Sequence, residues 1–174
     1  LDREVMEHYI LTIIARDQSS EPLEASVNVS ITVADENDNY PTFSQGSYTD
    51  RVNEATIVGT VVASNIFASD LDAGDNSALV YRIIGGNDEN TFVIAATTTP
   101  TITIATSLDR EVTANYTLTI EASDSGDSPL VTTVQVLVLI EDANDNAPVF
   151  VGTPYTKQML EDTQVGTVVF TVAA

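Results

Sequence analysis

The sequence predicts an all-β protein made of tandem Greek-key β-sandwich repeats, and two observations lead to this fold class. The chain of 174 residues matches itself without a gap at one constant offset, which maps Leu1 onto Leu108. Within that period, polar and apolar residues alternate along short segments that end in turn-forming residues. A period of roughly 100 residues is too long for most solenoids and suits a β-sandwich domain.

The internal repeat is carried by motifs spread along the whole chain. The matching segments are 1–5 (LDREV) with 108–112, 35–39 (DENDN) with 142–146 (DANDN), Glu54 with Glu161, and 58–61 (VGTV) with 165–168. The match predicts three parts: the end of one repeat with its linker (1–39), a complete repeat with its linker (40–146) and the start of a third repeat (147–174). Because neither end piece can bury a sandwich core alone, we expect the chain to belong to a longer array.

The predicted strands are short and rich in Thr, Val and Ile. In residues 27–33 (VNVSITV) the aliphatic side chains fall on one face and the polar ones on the other. Alternation or a β-rich composition also marks 79–83, 101–105, 116–122 and 134–140, and clusters at 85–88 and 125–129 predict turns. About seven strands in a repeat of this length favour a Greek-key sandwich.

The composition is strongly acidic, and this excludes some partners. The chain has 6 Lys and Arg against 26 Asp and Glu, a formal charge of −20, so nucleic acid and anionic membranes would repel it. With 43% hydrophobic residues it is not a solvated acidic tail. The acids therefore indicate hard divalent cations such as calcium, which could also stabilise a secreted domain that has no cysteine. The longest mainly apolar run, 134–140, is too short to span a bilayer, so we expect membrane attachment only through parts of a longer protein.

Acidic residues cluster at the predicted strand ends. The clusters are 35–39, 70–76, the pair Asp2 and Glu4 with its copy Asp109 and Glu111, and Asp17 with its copy Asp124. Asp and Asn favour turns in any case, and each cluster taken alone is explained that way. Turns do not require particular carboxylates to recur in register, so the set as a whole indicates ion binding. An EF-hand does not fit, because a loop beginning at Asp70 would have Asp75 at its glycine position and Tyr81 at its terminal glutamate position.

This set of motifs resembles the cadherin repeat family. The matching motifs are LDRE at 1–4 and 108–111, DxNDN at 35–39 and 142–146, DxD at 70–72, AxD ending at Asp17 and Asp124, and the strand-start glutamates Glu54 and Glu161. They cover the whole chain, with Tyr40 as a small departure from the usual Ala before Pro41. The resemblance implies immunoglobulin-like sandwich repeats with calcium between them, in a calcium-dependent cell-adhesion ectodomain.

At the first linker, the resemblance implies ligands from the preceding repeat, the linker and the following repeat. They are Asp2 and Glu4; Asp35, Asn37 and Asp38 with the carbonyl oxygens of Glu36 and Asn39; and Asp70, Asp72, Asp124 and the carbonyl oxygen of Asn76. Without calcium these carboxylates would repel one another, whereas bound ions would cross-link the repeats and fix their angle.

At the second linker, the resemblance implies a set with the same pattern. Its members are Glu54, Asp109, Glu111, Asp142, Asn144 and Asp145, with the carbonyl oxygens of Ala143 and Asn146. Here we expect at most the two ions nearer the complete repeat. Asp17 and Glu161 are expected to serve other linkers.

Extracellular modules of this kind bind calcium with a Kd of ~10⁻⁴ to 10⁻³ M, which suits extracellular calcium and predicts an extracellular, cell-surface location. Expected partners are other cadherin ectodomains, through homophilic or heterophilic contacts. Two other functions are the rivals of adhesion. An enzyme would need a cleft between paired carboxylates, and the only histidine, His8, suggests no nucleophile–base pair, so we expect no catalysis. A cadherin-like module of a matrix or carbohydrate-binding protein would bind glycans.

The last strand of the complete repeat predicts a partner surface. By alternation, Leu137 and Leu139 point away from the core, where the preceding repeat has Ser30 and Thr32. Thr117, Thr119, Val80, Arg82 and Ile84 are expected to extend this face. Solitary surface aliphatics are common, and a glycan could also cover the face, because Asn115 begins one of two N-glycosylation sequons and Asn28 begins the other.

Overall fold

The computed structural model describes residues 1–95, 99–152 and 154–173. It contains two compact units, Leu1–Asp142 and Ala143–Ala174. Within the described ranges, the only helical segment is a 3-10 helix at Gly74–Ser77, and the remaining regular structure is β. The all-β prediction is therefore confirmed.

The first unit begins with an antiparallel hairpin of β1 (His8–Arg16) and β2 (Glu24–Thr32). The same hairpin recurs later in the unit as β10 (Asn115–Ser123) and β11 (Val131–Glu141). Even the register is shared: His8 pairs with Thr32, and Asn115 pairs with Leu139, the residues at the equivalent places in the next repeat. The three-dimensional structure thus reproduces the internal repeat of the sequence.

The complete repeat is a sandwich of two main sheets. Its other strands are β3 (Thr42–Phe43), β4 (Ser47–Asn53), β5 (Val61–Ala63), β6 (Ala68–Ser69), β7 (Val80–Gly85), β8 (Phe92–Ile94) and β9 (Ile102–Ile104). One sheet has the order β4-β11-β10-β7, with β4 parallel to β11, and the other has the order β5-β9-β8. A small antiparallel pair of β3 and β6 lies between Pro41 and the acidic loop at 70–76.

The core lies between the two sheets and follows from the period-two pattern. Alternate residues of β10 and β11 are buried, including Leu118, Ile120, Val136 and Val138, each 0% exposed. The opposite sheet contributes inward residues to the same cluster, among them Phe92, Ile102 and Ile104. Full burial of such side chains stabilises a fold by roughly 1.5–3 kcal/mol each. This core holds the strand ends that carry the acidic residues.

One turn needs glycine for a steric reason. Gly86 follows β7 with a φ of +74°, and a Cβ there would lie 1.9 Å from the carbonyl oxygen of Thr117. A side chain at this position would clash with backbone that cannot move without disturbing β10. The predicted turn at 85–88 is thereby fixed in place.

The outward face of β11 differs in part from its prediction. Leu137 and Leu139 alternate with the buried Val136 and Val138 and so point away from the core, as expected. Both leucines are nevertheless half-buried rather than exposed, because β11 is an interior strand with β4 on one side and β10 on the other. The neighbouring Val80 and Ile84 on β7 are 42% and 52% exposed.

The second unit is described by itself. Tyr155 packs edge-on against Phe150 and Phe170, with ring centroids 6.3 Å and 5.8 Å away, and its hydroxyl donates a hydrogen bond to the carbonyl oxygen of Val151. The Val151 N–H donates to the carbonyl oxygen of Ala173 at 3.0 Å. Across the described residues of both units, we find no helix of the length and apolar character that crossing a membrane requires.

Candidate metal centre

Three carboxylates from distant parts of the chain meet at the first linker. Oxygens of Glu4, Asp38 and Asp72 all lie within 4.8 Å of one another. Glu4 precedes the first hairpin, Asp38 belongs to the linker, and Asp72 belongs to the loop after β6. The structure therefore brings together one predicted ligand from each of the three expected sources.

Hydrogen bonds hold the linker against the loop of the following repeat. Asp72 is buried and accepts two bonds from Asn39, one from its backbone N–H at 3.1 Å and one from its side-chain amide at 2.6 Å. The Asp72 N–H in turn donates to Asp70 Oδ1 at 2.9 Å. These contacts orient the Asp72 carboxylate toward the linker and fix Asp70 within its own loop.

Asp35, at the start of the linker, is held by the same loop. Its Oδ2 accepts bonds from the Ala73 N–H at 3.1 Å and the Asn76 amide at 3.0 Å. Burial alone would raise the pKa of Asp35, but these hydrogen bonds and the nearby charge of Arg3 outweigh burial and lower the pKa. The Asp35 carboxylate is consequently kept ionised, as a cation ligand must be.

Asn37 and Asp124 form the third connection. The Asn37 amide donates to Asp124 Oδ1 at 3.2 Å and to the Ser128 carbonyl oxygen at 3.0 Å. Asp124, only 3% exposed, also accepts from the N–H groups of Gly126 and Leu130. The turn that follows Asp124 therefore fixes its carboxylate independently of the contact with the linker.

The environment of these residues fits a hard cation. Asp70 Oδ2 and Asn37 Oδ1 are buried and have no hydrogen-bond partner within the described part of the chain. The pKa of Asp70 is raised, first by burial and further by the neighbouring charges of Asp72 and Asp124, although hydrogen bonds partly offset the shift. Buried oxygens with unsatisfied lone pairs among like charges are stabilised by a cation, and an all-oxygen donor set is the kind that calcium takes.

The remaining predicted ligands of the first linker make local contacts. Asp2 Oδ1 accepts a bond from the Val5 N–H at 3.1 Å, and the Glu36 carbonyl oxygen accepts one from the Asp38 N–H at 3.1 Å. The Asn39 amide also donates to Asp38 Oδ1 at 2.8 Å. Their role as ligands stays a prediction.

A guanidinium lies within the first acidic cluster. Arg3 Nη2 is 2.5 Å from Glu4 Oε1, and Nε forms an ion pair with Asp35 Oδ1. Arg3 Nη2 also donates to the Leu71 carbonyl oxygen at 2.7 Å. One side chain thereby connects the preceding repeat, the linker and the loop of the following repeat.

A second cluster of carboxylates lies in the complete repeat, among the ligands predicted for the second linker. Oxygens of Glu54, Asp109 and Glu111 lie within 4.8 Å of one another. Glu54 is buried, and its Oε2 accepts the Arg110 N–H at 2.5 Å. Arg110 Nη2 contacts Glu111 Oε1 at 2.7 Å and Asp142 Oδ1 at 2.5 Å. The cluster thus repeats the arginine contacts of the first one at the equivalent positions of the next repeat.

The rest of the second predicted set belongs to the second unit. There the Asp145 N–H donates to the Ala143 carbonyl oxygen at 2.8 Å, and the Asn146 amide donates to Asp145 Oδ1 at 2.8 Å. The corresponding contacts of Asp38 and Asn39 have the same form. Ala143, Asn144, Asp145 and Asn146 stay predicted ligands.

The sequence pattern gave no role at the site to Arg3, Arg110 or Gly126, although Gly126 belongs to the predicted turn at 125–129. A Cβ at Gly126 would lie 2.4 Å from Asn76 Oδ1 and 2.8 Å from Asn37 Nδ2, so a larger residue would require both amide side chains to shift. The arginines carried a signal, because two of the chain's 6 basic residues recur at the same place in the repeat. The glycine carried none, since Ser19 stands at its place in the preceding repeat.

Sandwich repeats joined by acidic, oxygen-rich linkers are typical of one class of modular calcium-binding proteins. Comparison with known proteins identifies a family of this class. The cadherin domain model matches residues 48–141. The chain belongs to the cadherin domain family.

Similar proteins include very long ones. Human protocadherin Fat 4 is 40% identical over 162 residues, which are 93% of this chain and 3% of the relative. Human cadherin EGF LAG seven-pass G-type receptor 1 is 41% identical over 175 residues, 100% of this chain and 6% of the relative. The chain therefore spans only a small fraction of these relatives.

Solved structures with the same fold include segments of cadherin ectodomains. Domains 1–4 of protocadherin gamma B7 superimpose with a TM-score of 0.83 at 35% identity, covering 97% of this chain and 40% of that one. Mouse cadherin-23 domains 22–24 superimpose with a TM-score of 0.76 at 34% identity, covering 83% and 46%. These matches confirm tandem immunoglobulin-like sandwich repeats.

Proposed function

We propose that this chain is part of a calcium-dependent cell-adhesion ectodomain, in which ions bound at the linkers stiffen a tandem array of repeats. The observation that carries the proposal is the convergence of Glu4, Asp38 and Asp72 from three parts of the chain within 4.8 Å. Carboxylates gathered in this way repel one another. A cation bound by all three would offset the repulsion and cross-link the three parts of the chain.

The proposed ligands are those that the motifs predict. At the first linker they are Asp2, Glu4, Asp35, Glu36, Asn37, Asp38, Asn39, Asp70, Asp72, Asn76 and Asp124, and at the second they are Glu54, Asp109, Glu111, Asp142, Ala143, Asn144, Asp145 and Asn146. Bound calcium would supply the positive charge that these oxygens share. The chain's own contribution is to hold the oxygens ready through the hydrogen bonds of Asp35, Asp72 and Asp124.

The organisation and location of the protein follow the same proposal. The three parts are residues 1–39, 40–146 and 147–174, each a whole or partial cadherin repeat. Similar solved structures are of extracellular cadherin domains, which supports an extracellular location for this chain. We propose that it lies at the cell surface, attached through parts of a longer protein.

The test is a measurement of length. The sample is a recombinant ectodomain segment that contains this chain and complete repeats on either side. In about 2 mM calcium, above the expected Kd of ~10⁻⁴ to 10⁻³ M, small-angle scattering should give a larger maximum dimension than in chelator. The physical reason is that bridged linkers extend, whereas linkers with repelling carboxylates bend in many directions. Identical dimensions in the two conditions would contradict the linker model.

The outer face of the sheet β4-β11-β10-β7 is the proposed contact surface with another cadherin ectodomain. Leu137 and Leu139 lie at its centre, and the exposed Val80 and Ile84 lie on its β7 strand. One similar solved structure is a cis dimer of protocadherin gamma B7, which supports a second ectodomain as the partner at this face.

Changing both Leu137 and Leu139 to Ser should weaken self-association of the array in calcium, because it removes the apolar centre of this face. Analytical ultracentrifugation of the same ectodomain segment measures the effect, and the calcium affinity and melting temperature serve as controls. The Asn115→Gln variant, which removes the sequon, serves as a matched comparison. Asn115 pairs directly with Leu139, so a glycan on Asn115 would lie beside this leucine. Equal association of the double variant and the parent would exclude a homotypic contact at this face.

A further inference from the structure

Each acidic cluster contains an arginine, and the two arginines make matching contacts. Arg3 contacts Glu4 and Asp35, and Arg110 contacts Glu111 and Asp142, which are the equivalent acids of the next repeat. The whole chain has only 6 basic residues against 26 acidic ones. A third of its positive side chains thus lies where the proposed function places cation ligands.

The contacts of Arg3 span the whole first linker. Its side chain is 17% exposed, and its acidic partners Glu4 and Asp35 are 21% and 20% exposed. With the bond to the Leu71 carbonyl oxygen, the guanidinium joins the same three parts of the chain that shared ligands would join. A planar guanidinium with several fixed donors suits this bridging role better than a lysine would.

We propose that Arg3 and Arg110 act as built-in counter-ions that brace the linkers and compete with calcium for the carboxylates. The inference rests on the proposed function, since the contested oxygens belong to its ligand set. The guanidinium contacts Glu4 Oε1 and Asp35 Oδ1, so a metal ion that binds through these two oxygens must compete with its positive charge. The linker is thereby protected from full carboxylate repulsion at low calcium, and its calcium affinity is reduced to a range that extracellular changes can reach.

The test compares calcium binding and linker flexibility in the same ectodomain segment. Arg3→Gln should raise the calcium affinity of the first linker roughly three- to tenfold, the scale of a partly buried ion pair. In chelator, the same variant should be cleaved by protease at residues 33–39 several-fold faster than the parent, because the brace is lost. Isothermal titration calorimetry and a cleavage time course measure the two effects. Arg110→Gln should raise the affinity of the second cluster by a similar factor.

A matched control separates the contact from a general effect of charge. Arg16→Gln removes an arginine that pairs with Glu24 at 3.3 Å outside both clusters, and it should alter neither measurement. If the parent segment binds no calcium at the linker, the proposed function fails. If the parent binds calcium but Arg3→Gln binds it equally or more weakly, only the competition is overturned. Unchanged cleavage in chelator would overturn the brace.

Discussion

Replacing Asp38 with Ala should weaken calcium binding at the first linker at least tenfold. Asp38 lies within 4.8 Å of Glu4 and Asp72, so its loss removes one carboxylate of a group that a cation would share. A tenfold loss of affinity corresponds to about 1.4 kcal/mol. Loss of a ligand should cost more than loss of a residue that only hydrogen-bonds to a ligand, which lowers metal affinity roughly 10- to 100-fold. Calorimetry of an ectodomain segment with complete flanking repeats would measure it.

Asp38 is the cleanest position for this test because its side chain is exposed and its carboxylate accepts a hydrogen bond from the adjacent Asn39 amide. Asp72, in contrast, is buried and holds the linker backbone, so its loss would disturb the fold as well. In chelator, Asp38→Ala should melt at the same or a higher temperature than the parent, since one repelling charge is gone. In calcium it should gain less stability. Asp88→Ala, which removes an acid from a distant turn, serves as control, and equal affinity in Asp38→Ala and the parent would refute the assignment.

Much of the fold was predictable because the sequence contains its own comparison. The offset that maps Leu1 onto Leu108 also aligns β1 and β2 with β10 and β11, and the structure pairs both hairpins in the same register. Val134, Val136 and Val138 recur at every second position because all three are buried in the core. The sequence alone therefore indicates which side chains of β11 point inward. The half-burial of Leu137 and Leu139 could not, because it depends on which strands flank β11.

The site was predictable as a set of residue types but not as a network. Carboxylates at fixed places in the repeat indicated ligands, and three of them converge as expected at each cluster. The contact of Arg3 with Glu4 and Asp35 was not foreseen, since adjacent residues in a motif do not reveal where a long side chain turns. The crowding of Asn37 and Asn76 around Gly126 likewise depends on tertiary approach.

Glu54→Gln should abolish most calcium binding at the second cluster while leaving the first cluster intact. Glu54 is 5% exposed and lies with Asp109 and Glu111 within 4.8 Å, so its charge is both buried and repelled. Gln keeps the shape of the side chain and an oxygen that can accept the Arg110 N–H, which Glu54 Oε2 accepts at 2.5 Å. The substitution therefore removes a charge and keeps the hydrogen bond from the Arg110 N–H.

Three outcomes distinguish a ligand from a structural acid at this position. For a ligand, Glu54→Gln loses at least tenfold in calcium affinity at its own cluster, yet in chelator it unfolds at the same or a higher temperature than the parent. Glu54→Ala should lose binding equally but also lose stability, because the Arg110 N–H is left without its partner. Combined with Asp38→Ala, the effects of Glu54→Gln on binding should add, since the two clusters share no residue. A Glu54→Gln variant that keeps full calcium affinity would show that this buried carboxylate only supports the turn at Arg110.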